Sequence, residues 1–416
     1  MATRELENTQ SVSRAGRSGL WFWVVVFAFT TTMAFTTVPA PLWSLFAQRD
    51  GFSSFMVTIV FAVYALAVAL SLFLVGHVSD WYGRRRVLMP AIALEIIAGV
   101  VFLIWPSLPG LLLARVLSGL GIGAVTATAT AWLAELRGVR DRHTQAVATS
   151  ANLGGLGLGA LVSGFLAQWA SPQLRVPFTV FTVLLLVAWV ALFRATETRR
   201  RENPLPHYRP QRIEVPRASR ARFFAAALAA AITFAIFGLL ASLTSLVLEG
   251  TFHQPSLLLS GAVTFIVFAA AALIQTLTSS RSTQHLLAAA IPTMLAGLGL
   301  LTIAVWLPSP SFGVFLLGVI VVGAGSGLMF EGAVSTITEI SPPEHRAEAL
   351  AGMFLACYLG LSIPVIGLGA LTQFASIRVS LLVFAAVLGL GILAAAPTLL
   401  GRRTDLQTAG PQPVSS

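Results

Sequence analysis

The sequence predicts an all-α integral membrane protein of twelve transmembrane helices, arranged as two pseudo-symmetric six-helix bundles. Three observations carry that reading. The chain is 56% hydrophobic and 10% charged, with a mean hydropathy of +0.84, whereas soluble domains carry about a quarter charged residues. Its apolar runs reach the ~20 residues that a helix needs to cross a bilayer. The second half repeats the first: Gly119-Leu-Gly121-Ile-Gly123 recurs as Gly323-Ala-Gly325-Ser-Gly327, an offset of 204 that also pairs Glu135 with Glu339 and Arg142 with Arg346.

Taken in order, residues 1–19 form a polar tail bearing Arg4, Arg14 and Arg17. The apolar run at 20–46 is too long for a signal-peptide core and lacks a small-residue cleavage site, so it reads as a retained span. Spans follow at 55–77, 87–105, 110–133, 145–169 and 176–193, completing a first bundle over 20–193. A linker over 194–222, rich in proline and arginine, reads as a flexible or surface-lying connector with room for one short interfacial helix. The second bundle, 223–400, has spans at 223–248, 258–278, 286–306, 312–336, 349–374 and 379–400, and residues 401–416 form a second polar tail.

Arginine placement sets the orientation. All 26 basic residues are arginine, and none is lysine. With the N-terminus in the cytoplasm, 22 of them fall on the cytoplasmic side and only Arg49, Arg175 and Arg378 outside, with Arg115 inside a span. That asymmetry satisfies the positive-inside rule and puts both termini in the cytoplasm. The formal net charge of +10 therefore reports membrane topology, and no nucleic-acid partner is expected. Cys357 is the only cysteine, which excludes disulfides and thiolate metal sites. The six histidines are scattered, and no phosphate-binding glycine loop or nucleophile elbow occurs. Neither an enzyme, an ATP-driven pump, a metal site nor a cofactor is expected.

The densest cluster of charge in the first half is Gly76-His-Val-Ser-Asp80-Trp-Tyr-Gly83-Arg84-Arg85-Arg86, between the second and third spans. Gly76 and Gly83 permit a tight turn and close helix approach. Asp80 is suited to the N-terminus of a helix from the other half, where free N–H groups and the dipole favour an anion. Glu135, at the end of the fourth span, lies at the right depth to pair with Arg84. In the second half the equivalent loop, 275–285, has Gln275 and Ser279 at the corresponding glycine and aspartate positions and keeps only Arg281 as a basic residue.

The loop resembles the signature between spans two and three of the major facilitator superfamily, with Gly76, Asp80, Gly83, Arg84 and Arg85 on its pattern. The stretch Arg115-Val-Leu-Ser-Gly119-Leu-Gly121-Ile-Gly123 is similar to the span-four motif of many proton-coupled members. A third stretch, from Gly155 to Gly164 in span five, looks like the glycine-rich motif of exporters, except that Ala160 stands where proline is usual. The resemblance covers about residues 20–400 and is closest in pattern to the twelve-helix drug/proton antiporter-like members. It implies alternating access, a gating role for the loop, and docking of Asp80 on the start of span eleven. The absence of any carboxylate in span one departs from several drug/proton antiporters.

Arg115, Glu331, Glu95, Tyr64, Asn152 and Tyr358 are the substrate or proton candidates. Ionisable groups inside a membrane span are functional-site hypotheses by default. Arg115 shares a helix face with Gly119, Thr126 and Thr130. It lies ~30 Å above the cytoplasmic end of its span, and Glu95 only ~12 Å above the end of its own, so the two are not expected to pair directly. Pro39 and Pro41 leave the carbonyls of Phe35 and Thr37 unbonded, and these are the expected partners if Arg115 is structural; otherwise it borders the cavity. Glu331 and Glu95 are the only carboxyls well inside spans, and buried carboxyls titrate nearer neutrality, as a proton carrier requires. Tyr64, Asn152, Gln275, Tyr358 and the threonines of span one are cavity liners or interhelical glue. The expected activity is proton-coupled efflux of a small, lipophilic, neutral or weakly anionic molecule, with uptake of a small carboxylate as the alternative. The expected setting is a monomer in the plasma (inner) membrane, with the substrate, protons and the lipid bilayer as its partners.

Overall fold

A computed structural model describes residues 2–137, 142–199, 201–204, 207–211, 215 and 219–401, with side chains from Gly19 onward. The second polar tail beyond residue 401 and the side chains of Arg4, Arg14 and Arg17 lie outside the described residues. Apolar runs dictate the elements. The first helix, α1 (Ala2–Thr37), continues the N-terminal tail directly into the first span. It stops where Pro39 and Pro41 remove two backbone donors. A 3₁₀ turn at Ala40–Leu42 then leads into α2 (Trp43–Asp50), so the first span is bent.

The chain continues through α3 (Ser54–Val75), a short α4 (Val78–Tyr82), α5 (Arg84–Ile104) and α6 (Leu108–Arg137). The fifth span begins as α7 (Arg142–Thr149), passes through a π-helical turn at Ser150–Gly154 and resumes as α8 (Gly155–Trp169). After α9 (Val176–Leu192) come α10 (Arg220–Gly250), α11 (Leu257–Thr278), α12 (Thr283–Trp306), α13 (Phe312–Ile340), α14 (Arg346–Leu371) and α15 (Ile377–Leu400). Among the described residues eleven helices are long and apolar enough to cross a membrane, and α9, at 17 residues, is the shorter twelfth run read from the sequence. Among the described linker residues no α-helix precedes the one that opens at Arg220.

The helices alternate between two faces. One, here the basic face, carries the loop at 76–86. At the opposite face, α3, α11, α13 and α15 each open on a serine (Ser53, Ser256, Ser311, Ser376) whose hydroxyl accepts an early helix N–H, worth about 1 kcal/mol per cap. The internal repeat is also a packing repeat. Gly119 and Gly123 of α6 bed on α3, and Gly323 and Gly327 of α13 bed on α11. Gly121 meets α5 as Gly325 meets α12. Small residues allow this close approach where lipid provides no hydrophobic drive between helices.

The two halves meet chiefly through α8 against α11 and α3 against α14. Towards the face opposite the basic one they are closed. Gly164 abuts Leu257 and Gly261, and Gly369 abuts Thr58. Gln168 Oε1 accepts from the Leu257 N–H at 2.9 Å, and Gln48 Nε2 donates to Glu249 at 2.6 Å.

Candidate functional site

Between the halves lies a cavity of about 600 Å³, which runs from Ala40 and Thr37 at its deep end to Thr130, Gln145, Thr276 and Ser279 at the basic face. Thr130, Thr276, Gln145 and Ser279 are exposed, marking the mouth. Arg115 and Glu331 are the two charged residues on its wall among the described residues. Tyr64, Asn152 and Tyr358 also line it, as does Gln275. Asn152 is presented by the π turn at Ser150–Gly154, which the sequence reading ran through as ordinary helix; such turns frequently mark functional sites. Tyr358 packs edge-on to Phe234, with ring centroids 5.6 Å apart.

Arg115 is only 2% exposed. Its Nη1 donates to the carbonyl oxygen of Thr36 at 2.9 Å. The sequence pointed to the carbonyls of Phe35 and Thr37; the turn ending α1 hands the Val38 N–H back to the Phe35 oxygen at 3.2 Å instead, and Thr36 takes the guanidinium. Trp43, Phe61 and Tyr64 surround that guanidinium at 5.2, 5.8 and 5.1 Å from their ring centroids, each a cation–π contact. Its Nε is buried without a hydrogen-bond partner.

Glu331 lies near the mouth and accepts from the Thr278 hydroxyl at 3.1 Å. Glu95 is fully buried but not on the cavity wall. Its carboxyl lies against Gly121 and faces Ser118 and, electrostatically, Arg115. Glu95 and Arg115 are within electrostatic reach of each other despite the difference in depth that residue counting gives. They still form no direct ion pair. Span-one threonines divide: Thr36 and Thr37 reach the wall, while Thr32 bonds back to Ala28 O at 2.7 Å.

Sequence reasoning missed the phenylalanines. Phe234, Phe237, Phe268, Phe330 and Phe354 line the second-half wall. In spans already rich in apolar residues, no periodicity distinguishes a cavity-facing phenylalanine from one facing lipid.

At the basic face, Gly83 adopts φ 103° and ψ 153°, a backbone region that side-chain-bearing residues avoid. Gly76, by contrast, is in ordinary helical conformation, so only Gly83 meets the turn expectation. The Arg84 guanidinium is nearly buried and pairs with Glu135 at 2.7 Å and Asp80 at 2.8 Å, and it donates to Ser79 Oγ at 2.7 Å. Arg85 Nη1 donates to Phe193 O at 2.8 Å. Asp80 thus turns to Arg84 in this conformation, its side chain 47% exposed, in place of the expected docking on the start of α14.

The linker supplies contacts that no motif announced. The Glu197 carboxylate accepts from the backbone N–H groups of Arg84 and Arg85, at 2.8 and 3.0 Å, capping the N-terminus of α5 where an anion is favoured. Thr198 donates to Glu135, and Arg199 Nε donates to Asp80 O at 3.3 Å. Further along, the Glu202 N–H reaches Trp81 O and the Gln211 N–H reaches Phe73 O, both at 2.9 Å. Tyr208 donates to Leu74 O at 3.2 Å and stacks on His77, whose ring also makes an edge contact with Trp81. Burial holds the His77 pKa below its ordinary value, and the Arg209 backbone opposes that shift. The linker is therefore a strap on the loop at 76–86.

Among relatives, a probable 4-methylmuconolactone transporter of Cupriavidus pinatubonensis is 35% identical over 115 residues, 28% of this chain and 22% of that protein. An uncharacterized MFS-type transporter of Methanocaldococcus jannaschii is 25% identical over 157 residues, 38% of this chain and 39% of its own length. The alignments thus span well under half of either relative. Among solved structures, the nucleoside transporter NupG matches with a TM-score of 0.70 at 13% identity, covering 90% of this chain and 99% of that one. A bacterial homolog of the human lysosomal transporter Spinster, solved in an inward-facing, unoccupied conformation, matches at 0.68 and 15% identity over 92% and 98%. The human organic anion transporter MFSD10 (TETRAN) matches at 0.64 and 16% identity over 91% and 99%. At such identities these likenesses carry the fold alone. The sequence profile of the Major Facilitator Superfamily matches residues 20–291, well over half of the chain, and this multi-pass membrane protein belongs to that superfamily of transporters.

Proposed function

We propose that the protein is a secondary active transporter that exports a small organic molecule in exchange for protons by alternating access. The observation that carries this reading is the cavity between the halves, closed at one face and open at the other, with a single carboxyl, Glu331, on a wall that among the described residues is otherwise uncharged apart from Arg115. The basic face and both termini lie in the cytoplasm of a cell bounded by a plasma (inner) membrane, a reading that arginine placement supports, and the present conformation is inward-open. The chain divides into bundles over 20–193 and 223–400. The cavity is built within one chain, which supports a monomer as the working unit. The loop at 76–86 is a latch. In the outward-open state Asp80 leaves Arg84 and docks on the N-terminus of α14, while Arg84 and Arg85 stay held by Glu135 and the linker.

Glu331 carries the coupling proton, and its place at the inward mouth exposes it to cytoplasmic water in this state. A second reading, uptake of a small carboxylate with protons, is favoured by the unpartnered Nε of Arg115. Substrate accumulation in cells expressing the protein, with and without a protonophore, separates the two. Export predicts accumulation that falls on expression and recovers with the protonophore. Accumulation that rises on expression and collapses with the gradient overturns export and establishes uptake.

A further inference from the structure

The deep end of the cavity holds a buried cation with no acid to match it. Arg115 is 2% exposed, lines the cavity and has no ion-pair partner among the described residues; Glu95, within electrostatic reach, lies behind Gly121 and off the wall. One of its nitrogens bonds the Thr36 oxygen and Nε bonds nothing. Aromatic faces compensate a desolvated guanidinium only partly, and a buried charge is normally paired. The group that matches a guanidinium fork is a planar oxyanion. Elsewhere on the same cavity, the second-half wall presents aromatic surface. Phe237 and Phe268 have ring centroids 4.8 Å apart, and Phe234 and Phe330 5.7 Å apart.

The same end has little for a polyol. The Thr36 hydroxyl donates to Thr32 O at 3.4 Å, and that of Thr37 to Leu156 O at 2.5 Å, so both donors are spent on backbone. A cation brought there would face the buried Arg115 guanidinium, where repulsion is stronger than in bulk water.

We propose that this end of the cavity is a carboxylate subsite, and that the molecule it takes is an aromatic monocarboxylate, its carboxylate on Arg115 and its ring on the phenylalanine wall. The inference rests on the reading of this cavity as the transport site and names the substrate class. Neutral lipophiles bind the wall but lose the guanidinium, and small aliphatic acids keep the guanidinium but lose the wall.

Equilibrium binding to the purified full-length protein tests this with four probes: 2-naphthoate, its methyl ester, 2-naphthylmethylamine and acetate. The acid should bind at least tenfold tighter than each of the others. Arg115→Gln should remove that preference while leaving ester binding unchanged, which also shows that the variant folds. Should that variant fail to fold, Phe268→Ala must weaken naphthoate binding at least tenfold and leave acetate binding unchanged. Equal binding of acid and ester, tighter binding of the amine, or an Arg115→Gln variant that keeps the preference overturns the subsite. Flux of labelled naphthoate into proteoliposomes keeps the two readings apart. Binding with the predicted preference but without flux removes the transport reading and leaves the subsite. Flux of ester and acid alike removes the subsite and leaves transport.

Discussion

Glu331 is the one carboxyl on the cavity wall among the described residues, so replacing it isolates the proton. A glutamine at 331 has the shape and charge of the protonated acid. Glu331→Gln should therefore behave at every pH as the wild type does when acidified: its proteoliposome flux should be flat across a pH series over which the native rate changes. A variant that retains the native pH profile moves the proton elsewhere, and the buried Glu95, beside Ser118 and within reach of Arg115, becomes the next position to change. At this scale the sequence was legible wherever a residue was out of place chemically. An arginine in a span, a carboxyl in a span and a glycine before three arginines each carried a signal, because the membrane makes charge expensive. The five phenylalanines of the second-half wall carried none, since an apolar side chain costs the same on either face of a helix in lipid.

Elements bear the next pair of expectations. Glu197 gives both carboxylate oxygens to the first two N–H groups of α5. Glu197→Ala should lower stability by about 1–2 kcal/mol, the usual range for a lost cap with its dipole contribution. Hydrogen exchange should accelerate at the start of α5 and over 197–211, while the far ends of α3 and α14 keep their protection. The His77 contact adds a pH dependence whose sign follows from burial. Its folded pKa lies below the ordinary value, so the packing of His77 between Trp81 and Tyr208 contributes fully above ~6.5. As the pH falls through the lowered pKa, the ring must charge and the contribution is lost. Protection factors at 207–211 should fall on acidification in the wild type and stay level in His77→Phe; an unchanged wild type would dissociate the ring from the strap. The elements themselves could be read from apolar runs to within a few residues. The π turn at Ser150–Gly154 could not, because one extra residue in a helical turn leaves composition and hydropathy unchanged.

For the molecule as a whole, the closed face can be locked. A side chain at Gly369 would run into Thr58 across the interface of α14 and α3, so cysteines at these two positions, in a Cys357→Ala background, should form a disulfide. Turnover should stop on oxidation and return with reductant; transport that continues through the oxidised protein would mean that the halves do not part at this face. The global arrangement was legible because its repeat is written in glycines, which pack equivalently in α6 and α13. The attachment of the linker was not, since Glu197, Thr198, Arg199 and Tyr208 are residues any exposed loop carries and the Glu202 and Gln211 bonds come from the backbone. That attachment alters where the polypeptide is best divided. Hydropathy suggests a seam after Phe193, yet residues through Gln211 are fastened to the first half by Glu197, Thr198, Arg199 and Tyr208. Coexpressed fragments cut after Gln211 should reassemble into a working protein, whereas a cut after Phe193 should strand the strap on the wrong piece and yield less. Should they do so, the N-terminal module extends to Gln211.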